Sequence, residues 1–163
     1  MELGNCIIAQ SGGPTAAINA TLAGVYTAAS QKKGMGHIYG GLNGIEGILQ
    51  EKFVDLRQVL CSEERVRLLE TTPSSFLGSC RYKLGQSGHL EEEMARLFSV
   101  FADHNIRYFF YIGGNDSMDT ILQLEKYQQA HGGNVAFIGV PKTIDNDLMC
   151  IDHTPGFGSA AKY

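Results

Sequence analysis

Three glycine doublets, Gly12-Gly13, Gly40-Gly41 and Gly113-Gly114, stand directly after short apolar runs, and they constrain the fold more than any other feature of the chain. A buried strand that ends on glycines turns sharply, and the next segment can then pack back on it as a helix. Cys6 to Ala9 reads as a buried parallel strand, and Ser11-Gly12-Gly13-Pro14 as a turn with Pro14 at the first helical position. Ile18, Leu22 and Val25 recur on one face of the succeeding helix. Met35 to Tyr39 gives a second strand, Gly40 to Gly47 a glycine-broken segment, and the surroundings of Phe53 and Val54 a third short strand. Thr71 to Gly88, which holds Arg81 and Lys83, reads as a long loop of the kind that carries function. Leu90, Met94, Leu97, Phe98 and Phe101 make the core stripe of a helix whose first turn, Glu91 to Glu93, is solvated. Tyr108 to Ile112 is a buried strand, Gly113 to Ser117 a turn, Met118 to Ala130 a helix and Val135 to Val140 a last strand. This alternation predicts an α/β fold, a Rossmann-like three-layer sandwich around a mainly parallel sheet.

In such sheets ligands bind beyond the carboxyl ends of the strands. The loops Ser11 to Thr15, Gly113 to Ser117 and Pro141 to Asp147 all come after strands and are therefore expected on that one edge.

Composition narrows the classes. At 163 residues, 44% hydrophobic and 18% charged, the chain has globular composition and the length of one domain. No run approaches the roughly 18 apolar residues of a membrane span, and Met1 to Ser11 lacks the pattern of a signal peptide, so no membrane partner and a cytoplasmic location are expected. Cys6, Cys61, Cys80 and Cys150 form no C-x-x-C pair and read as buried or incidental free thiols. The histidines show no H-x-x-x-H spacing, which argues against a His or Cys metal site. A net charge of −4, with no basic cluster longer than Lys32-Lys33, argues against nucleic acid. An anionic ligand would have to be neutralised largely by backbone N–H groups and a bound cation.

Each of the three loops has a chemical and a plain reading. Ser11 to Thr15 offers unhindered backbone N–H groups to an anion, or is simply a tight strand-to-helix turn. Asn115 and Asp116 are oxygen ligands suited to Mg²⁺, while Asp116 or Ser117 could instead cap a helix. Pro141 to Asp147 gathers a cation, a hydroxyl and two carboxylates. A turn rich in Asp and Asn would look similar but would not explain Lys142 so near a sheet edge. Together these groups could bind a metal phosphate, stabilise transferred charge and accept a hydroxyl proton.

Gly12-Gly13 with Asn19-Ala20, Phe76 to Tyr82, Gly113 to Ser117, Pro141 to Asp147 and His153 to Gly158 resemble, in order and spacing, the 6-phosphofructokinase family, and the match spans essentially the whole chain. The segment Thr143-Ile144-Asp145-Asn146-Asp147 is the most diagnostic. The resemblance implies phosphoryl transfer to the 1-hydroxyl of fructose 6-phosphate with Mg²⁺ as cofactor. It makes Asp145 the general base, with Lys142 and Thr143 as further catalytic groups. Thr143, Asp145 and Asp147 would contact the sugar phosphate, and Gly13, Arg81, Gly114, Asp116 and Ser117 the donor phosphates. Asn115 and Asp116 would face the metal, although Asn115 stands where the family usually has Asp.

Asp116 and Lys142 stand where ATP-using members typically have Gly, so the chain resembles the pyrophosphate-dependent branch. A carboxylate at Asp116 would crowd and repel the α-phosphate region of a nucleotide, and Lys142 would meet pyrophosphate. Pyrophosphate is the expected donor; an ATP-dependent enzyme and a non-catalytic phosphate-binding module are the alternatives. The chain resembles only the first part of the family's proteins. Residues 1–163 are therefore expected to be the donor-binding α/β domain of a longer protein, without the second domain that binds sugar phosphate. The family also implies a homo-oligomer.

Overall fold

The computed structural model describes residues 3–15, 17–86 and 88–163. Outside them lie Met1 and Glu2 of the leader reading, Ala16, and Ser87 of the 71–88 loop. The elements are β1 (Gly4–Gln10), α1 (Ile18–Gln31), β2 (Met35–Gly41), α2 (Gly44–Leu49), β3 (Phe53–Asp55), α3 (Leu56–Val59) and α4 (Glu63–Thr71), and then α5 (Leu90–Asp103), β4 (Ile106–Gly113), α6 (Asn115–His131), β5 (Ala136–Pro141) and α7 (Phe157–Lys162). Among the described residues, no helix is long and apolar enough to cross a membrane.

The five strands form one sheet in the order β3-β2-β1-β4-β5. Parallel pairing runs from β2 through β1 and β4 to β5, and only the edge strand β3 is antiparallel. The central strand is buried on both faces, which is why Cys6 to Ala9 is a continuous apolar run rather than an alternating one. Ile7 and Ala9 join Ile45, Leu97, Phe101, Phe109 and Leu124 in the core under α2, α5 and α6. Cys6 and Ile8 join Ile18, Leu22, Ile38, Leu56 and Leu69 in the core under α1, α3 and α4. The result is the three-layer α/β sandwich that the alternation predicts.

This topology positions the site. From β1 the chain first crosses to β2 on one side and later returns to β4 on the other, so strand order reverses between β1 and β4. The crevice beyond the carboxyl ends of those two strands is the natural ligand position.

Several local expectations are corrected. Helix α1 begins only at Ile18, so Pro14 lies in the turn and not at the first helical position. Gly40-Gly41 belongs to β2 rather than coming after it, because the sheet there packs too closely for side chains. A Cβ on Gly40 would come within 2.6 Å of Leu77 Cδ2. The segment Gly40 to Gly47 is accordingly the end of a strand and the start of α2. Helix α6 takes in Asn115 to Ser117, residues expected in a turn. Leu90 is 41% exposed and stands outside the core stripe. Glu93 is no solvated residue of a helix start: it accepts hydrogen bonds from the Tyr82 hydroxyl at 2.6 Å and the Gly85 N–H at 2.8 Å. Of the cysteines, Cys6 and Cys80 are buried and Cys61 and Cys150 exposed, all as free thiols.

Candidate active site

The loop after β1 is held in place by backbone pairing and by its neighbours. The Ser11 N–H donates to Ile112 O at 2.9 Å, extending the β1–β4 ladder past the strand end. Gly12, at φ 74°, then turns the chain in the left-handed region where glycine is favoured. Its N–H and the Ser11 hydroxyl both donate to Cys80 O at 3.3 Å, and the Ser79 hydroxyl donates to Gly12 O. These bonds fasten the segment around Arg81 to the first glycine turn.

A buried polar network holds the approach to that segment. Gln10 Oε1 accepts from Leu77 N–H and Ser75 Oγ, each at 2.9 Å, and Gln10 Nε2 donates to Asn19 Oδ1 at 3.0 Å. Asn19 Oδ1 also accepts from Phe76 N–H at 2.9 Å, while Asn19 Nδ2 donates to Thr72 O at 2.8 Å. Both amides are buried and hydrogen-bonded, so the network rigidifies the loop without an unsatisfied group.

The third loop joins from β5. Lys142 N–H donates to Gly113 O at 2.9 Å, and Lys142 Nζ donates to Gly13 O across the mouth. Burial pulls the Lys142 pKa below the ordinary lysine range, and the negative charge of Asp145 works against that shift. At Gly113 the Ser117 side chain occupies the place a Cβ would need, while a Cβ on Gly13 would meet nothing within 4 Å. The Gly13 backbone therefore faces open space.

That space is a cleft of about 640 Å³. It brings together Gly13, Arg81, Gly114, Asn115, Asp116, Ser117 and Lys142, all named from the sequence. It does not take in Thr143, Asp145 or Asp147, which continue from Lys142 along the next loop. Asp145 and Asp147 are exposed, and the Asp145 N–H donates to Thr143 Oγ1 at 3.0 Å. Asn146, at φ 58°, accepts the Thr154 N–H at 2.9 Å and so ties this loop to the segment His153 to Gly158.

Sequence reasoning assigns no role to Lys83, which lines the cleft with Tyr82 and Thr120 and forms an ion pair with Asp116 at 2.9 Å. The signal in the sequence is two cations, Arg81 and Lys83, spaced i, i+2 outside any helix. Among the described residues, no group of three or more His, Cys, Asp or Glu side chains could hold a metal ion.

Comparison with known proteins shows the family. A family model described as Phosphofructokinase matches residues 5–163. The pyrophosphate–fructose 6-phosphate 1-phosphotransferase of Halomonas elongata is 46% identical over 98% of this chain and 38% of its own length. Its counterpart from Xanthomonas campestris is likewise 46% identical, over 100% of this chain and 38% of its own. The crystal structure of the pyrophosphate-dependent phosphofructokinase from Nitrosospira multiformis superposes with a TM-score of 0.88 at 48% identity, covering 99% of this chain and 39% of that one. The chain thus spans well under half the length of the curated relatives it matches. With a family match over nearly every residue and the family's motifs gathered at one sheet edge, the chain belongs to the phosphofructokinase family.

Proposed function

We propose that this chain is the donor-binding domain of a pyrophosphate-dependent enzyme of glycolysis. It would transfer a phosphoryl group from pyrophosphate to the 1-hydroxyl of fructose 6-phosphate, giving fructose 1,6-bisphosphate. The observation that carries this reading is the convergence of the open Gly13 backbone, Arg81 and Lys142 on one cleft, with the Asp116 carboxylate at its side. Two cations beside an open glycine turn suit a small polyanion, and the bulk of the Asp116 side chain stands against a nucleotide. The relatives named for pyrophosphate and fructose 6-phosphate support the same substrates here.

In the transfer, the sugar O1 attacks the terminal phosphorus in line as the bridging P–O bond breaks, and the electron pair leaves with orthophosphate. Asp145 takes the hydroxyl proton; its exposure and its place on the rim, one loop from the donor cleft, suit a base that meets a second substrate arriving from outside. Thr143 and Asp147 position the sugar beside it. Arg81 and Lys142 take up the charge on the transferred group, as Gly114 and Ser117 do through the start of α6.

Asn115 and Asp116 would hold Mg²⁺. Their donor set is one amide and one carboxylate, the latter already paired with Lys83. That fits a cation which takes most of its ligands from the donor phosphates, and not one caged by protein alone. When bound, Mg²⁺ neutralises charge on the donor.

The sugar-phosphate contacts would come from a second domain, and assembly as a homo-oligomer rests on the family resemblance. The cytoplasm is the compartment that suits exposed free thiols such as Cys61 and Cys150. Fructose 6-phosphate-dependent turnover by the full-length enzyme, with Mg²⁺ and equal pyrophosphate or ATP, tests the reading. Turnover with pyrophosphate alone is expected, and turnover with ATP alone would refute it.

A further inference from the structure

Lys83 stands where two hollows meet. Its ammonium lies 2.9 Å from Asp116 Oδ1, and both side chains line the donor cleft. Both also line a second pocket of about 250 Å³, formed by Leu84 to Gln86 on one side and Asp119, Thr120 and Gln123 of α6 on the other. The ion pair is thus the partition between the cleft and a space that continues along α6.

The backbone delivers Lys83 to this place. Tyr82 before it and Gly85 after it are both tied to the Glu93 carboxylate, and Leu84 is buried. With its neighbours anchored inward, the Lys83 side chain is presented to the start of α6. The pair contributes little to stability, because its side chains are 52% and 72% exposed and ion pairs of that kind are weak. Its consequence is electrostatic and steric. Asp116 is the one acidic side chain among the described residues lining the cleft, and unpaired it would repel any anionic donor.

We propose that Lys83 is a specificity-determining residue: paired with Asp116, it masks the carboxylate from pyrophosphate and walls off the pocket into which the nucleoside part of a larger donor would extend. The inference rests on the proposed pyrophosphate-dependent function and adds to it a residue whose effect depends on its partner. Removing Lys83 alone unmasks the carboxylate, whereas removing both opens the partition and leaves no charge behind.

The test is a double-mutant cycle on the full-length enzyme, with Lys83→Ala, Asp116→Asn and the double variant assayed with pyrophosphate and with ATP. Thermal midpoints are read alongside; both side chains are exposed, so folding should be unaffected. Lys83→Ala is expected to raise KM for pyrophosphate about tenfold, as an uncompensated charge facing an anion should. Adding Asp116→Asn, which removes the charge and keeps a side-chain oxygen for Mg²⁺, should recover most of that loss, and the double variant should turn over ATP faster than either single variant. Equal pyrophosphate KM values for Lys83→Ala and the double variant would overturn the proposal, showing Lys83 to be an independent donor contact. An unsubstituted enzyme that does not use pyrophosphate would overturn the functional reading and this inference together. One that uses it while the substitutions add independently would overturn the inference alone.

Discussion

An ideal Cβ on Gly113 would run into Ser117 Oγ and lie 2.5 Å from Ser117 Cβ, whereas one on Gly13 would meet nothing within 4 Å. The same substitution should therefore read out in opposite ways at the two positions. Gly113→Ala overpacks the turn against the start of α6 and should destabilise the domain by about 1–3 kcal/mol in chemical denaturation. Gly13→Ala should leave stability within about 0.5 kcal/mol while raising KM for the donor, because the methyl group enters the space the ligand needs. A loss of stability at Gly13 with donor affinity intact would show that the cleft is not where the donor sits. Asp145 admits a different separation. Asp145→Asn keeps the shape and removes the proton acceptor, so kcat should fall about 10²- to 10⁴-fold with little change in KM for pyrophosphate. Wild-type turnover in that variant would remove Asp145 from the role of base.

At the scale of elements, the segment that carries Arg81 and Lys83 depends on α5 through Glu93. The hydrogen bond to the Glu93 carboxylate, with burial adding to it, pushes the Tyr82 phenol up to about 12. A phenol whose folded pKa lies above its ordinary value of about 10 stabilises the fold fully below that value. The contribution is lost as pH rises through the folded pKa. Tyr82→Phe should therefore cost about 1 kcal/mol near neutrality, and the difference from wild type should vanish between pH of about 10 and 12. A difference that persists at the alkaline end would mean packing, not this hydrogen bond, holds the segment. Glu93 also shows why the sequence was only partly legible. Its neighbours Glu91 and Glu92 are ordinary exposed residues of a first turn, and nothing local distinguishes the third carboxylate that turns inward. Helices α3 and α4 were illegible for a related reason: each buries a single apolar residue, Leu56 and Leu69, and so shows no apolar stripe. Strand β1 was readable because burial on both faces demands a continuous apolar run, and glycines mark where β1 and β4 end.

The whole molecule is a sheet whose strand order reverses beside its central strand, and that reversal decides where chemistry can occur. The cleft residues named from the sequence come from loops far apart in the chain, and topology alone brings them to one edge. Thr143, Asp145 and Asp147 lie outside the lining of that cleft, and the role proposed for them is with the second substrate. What the sequence could not show was the relation between loops, such as the Lys83–Asp116 partition, because spacing along the chain does not encode contact across a cleft. The proposed function requires pyrophosphate to bind at this edge. The most direct measurement is amide hydrogen exchange of the full-length enzyme with and without pyrophosphate and Mg²⁺. Slowed exchange in the stretches 12–15, 80–83 and 114–117 together is the predicted result. Protection confined to other parts of the sheet, with these three stretches unchanged, would contradict it.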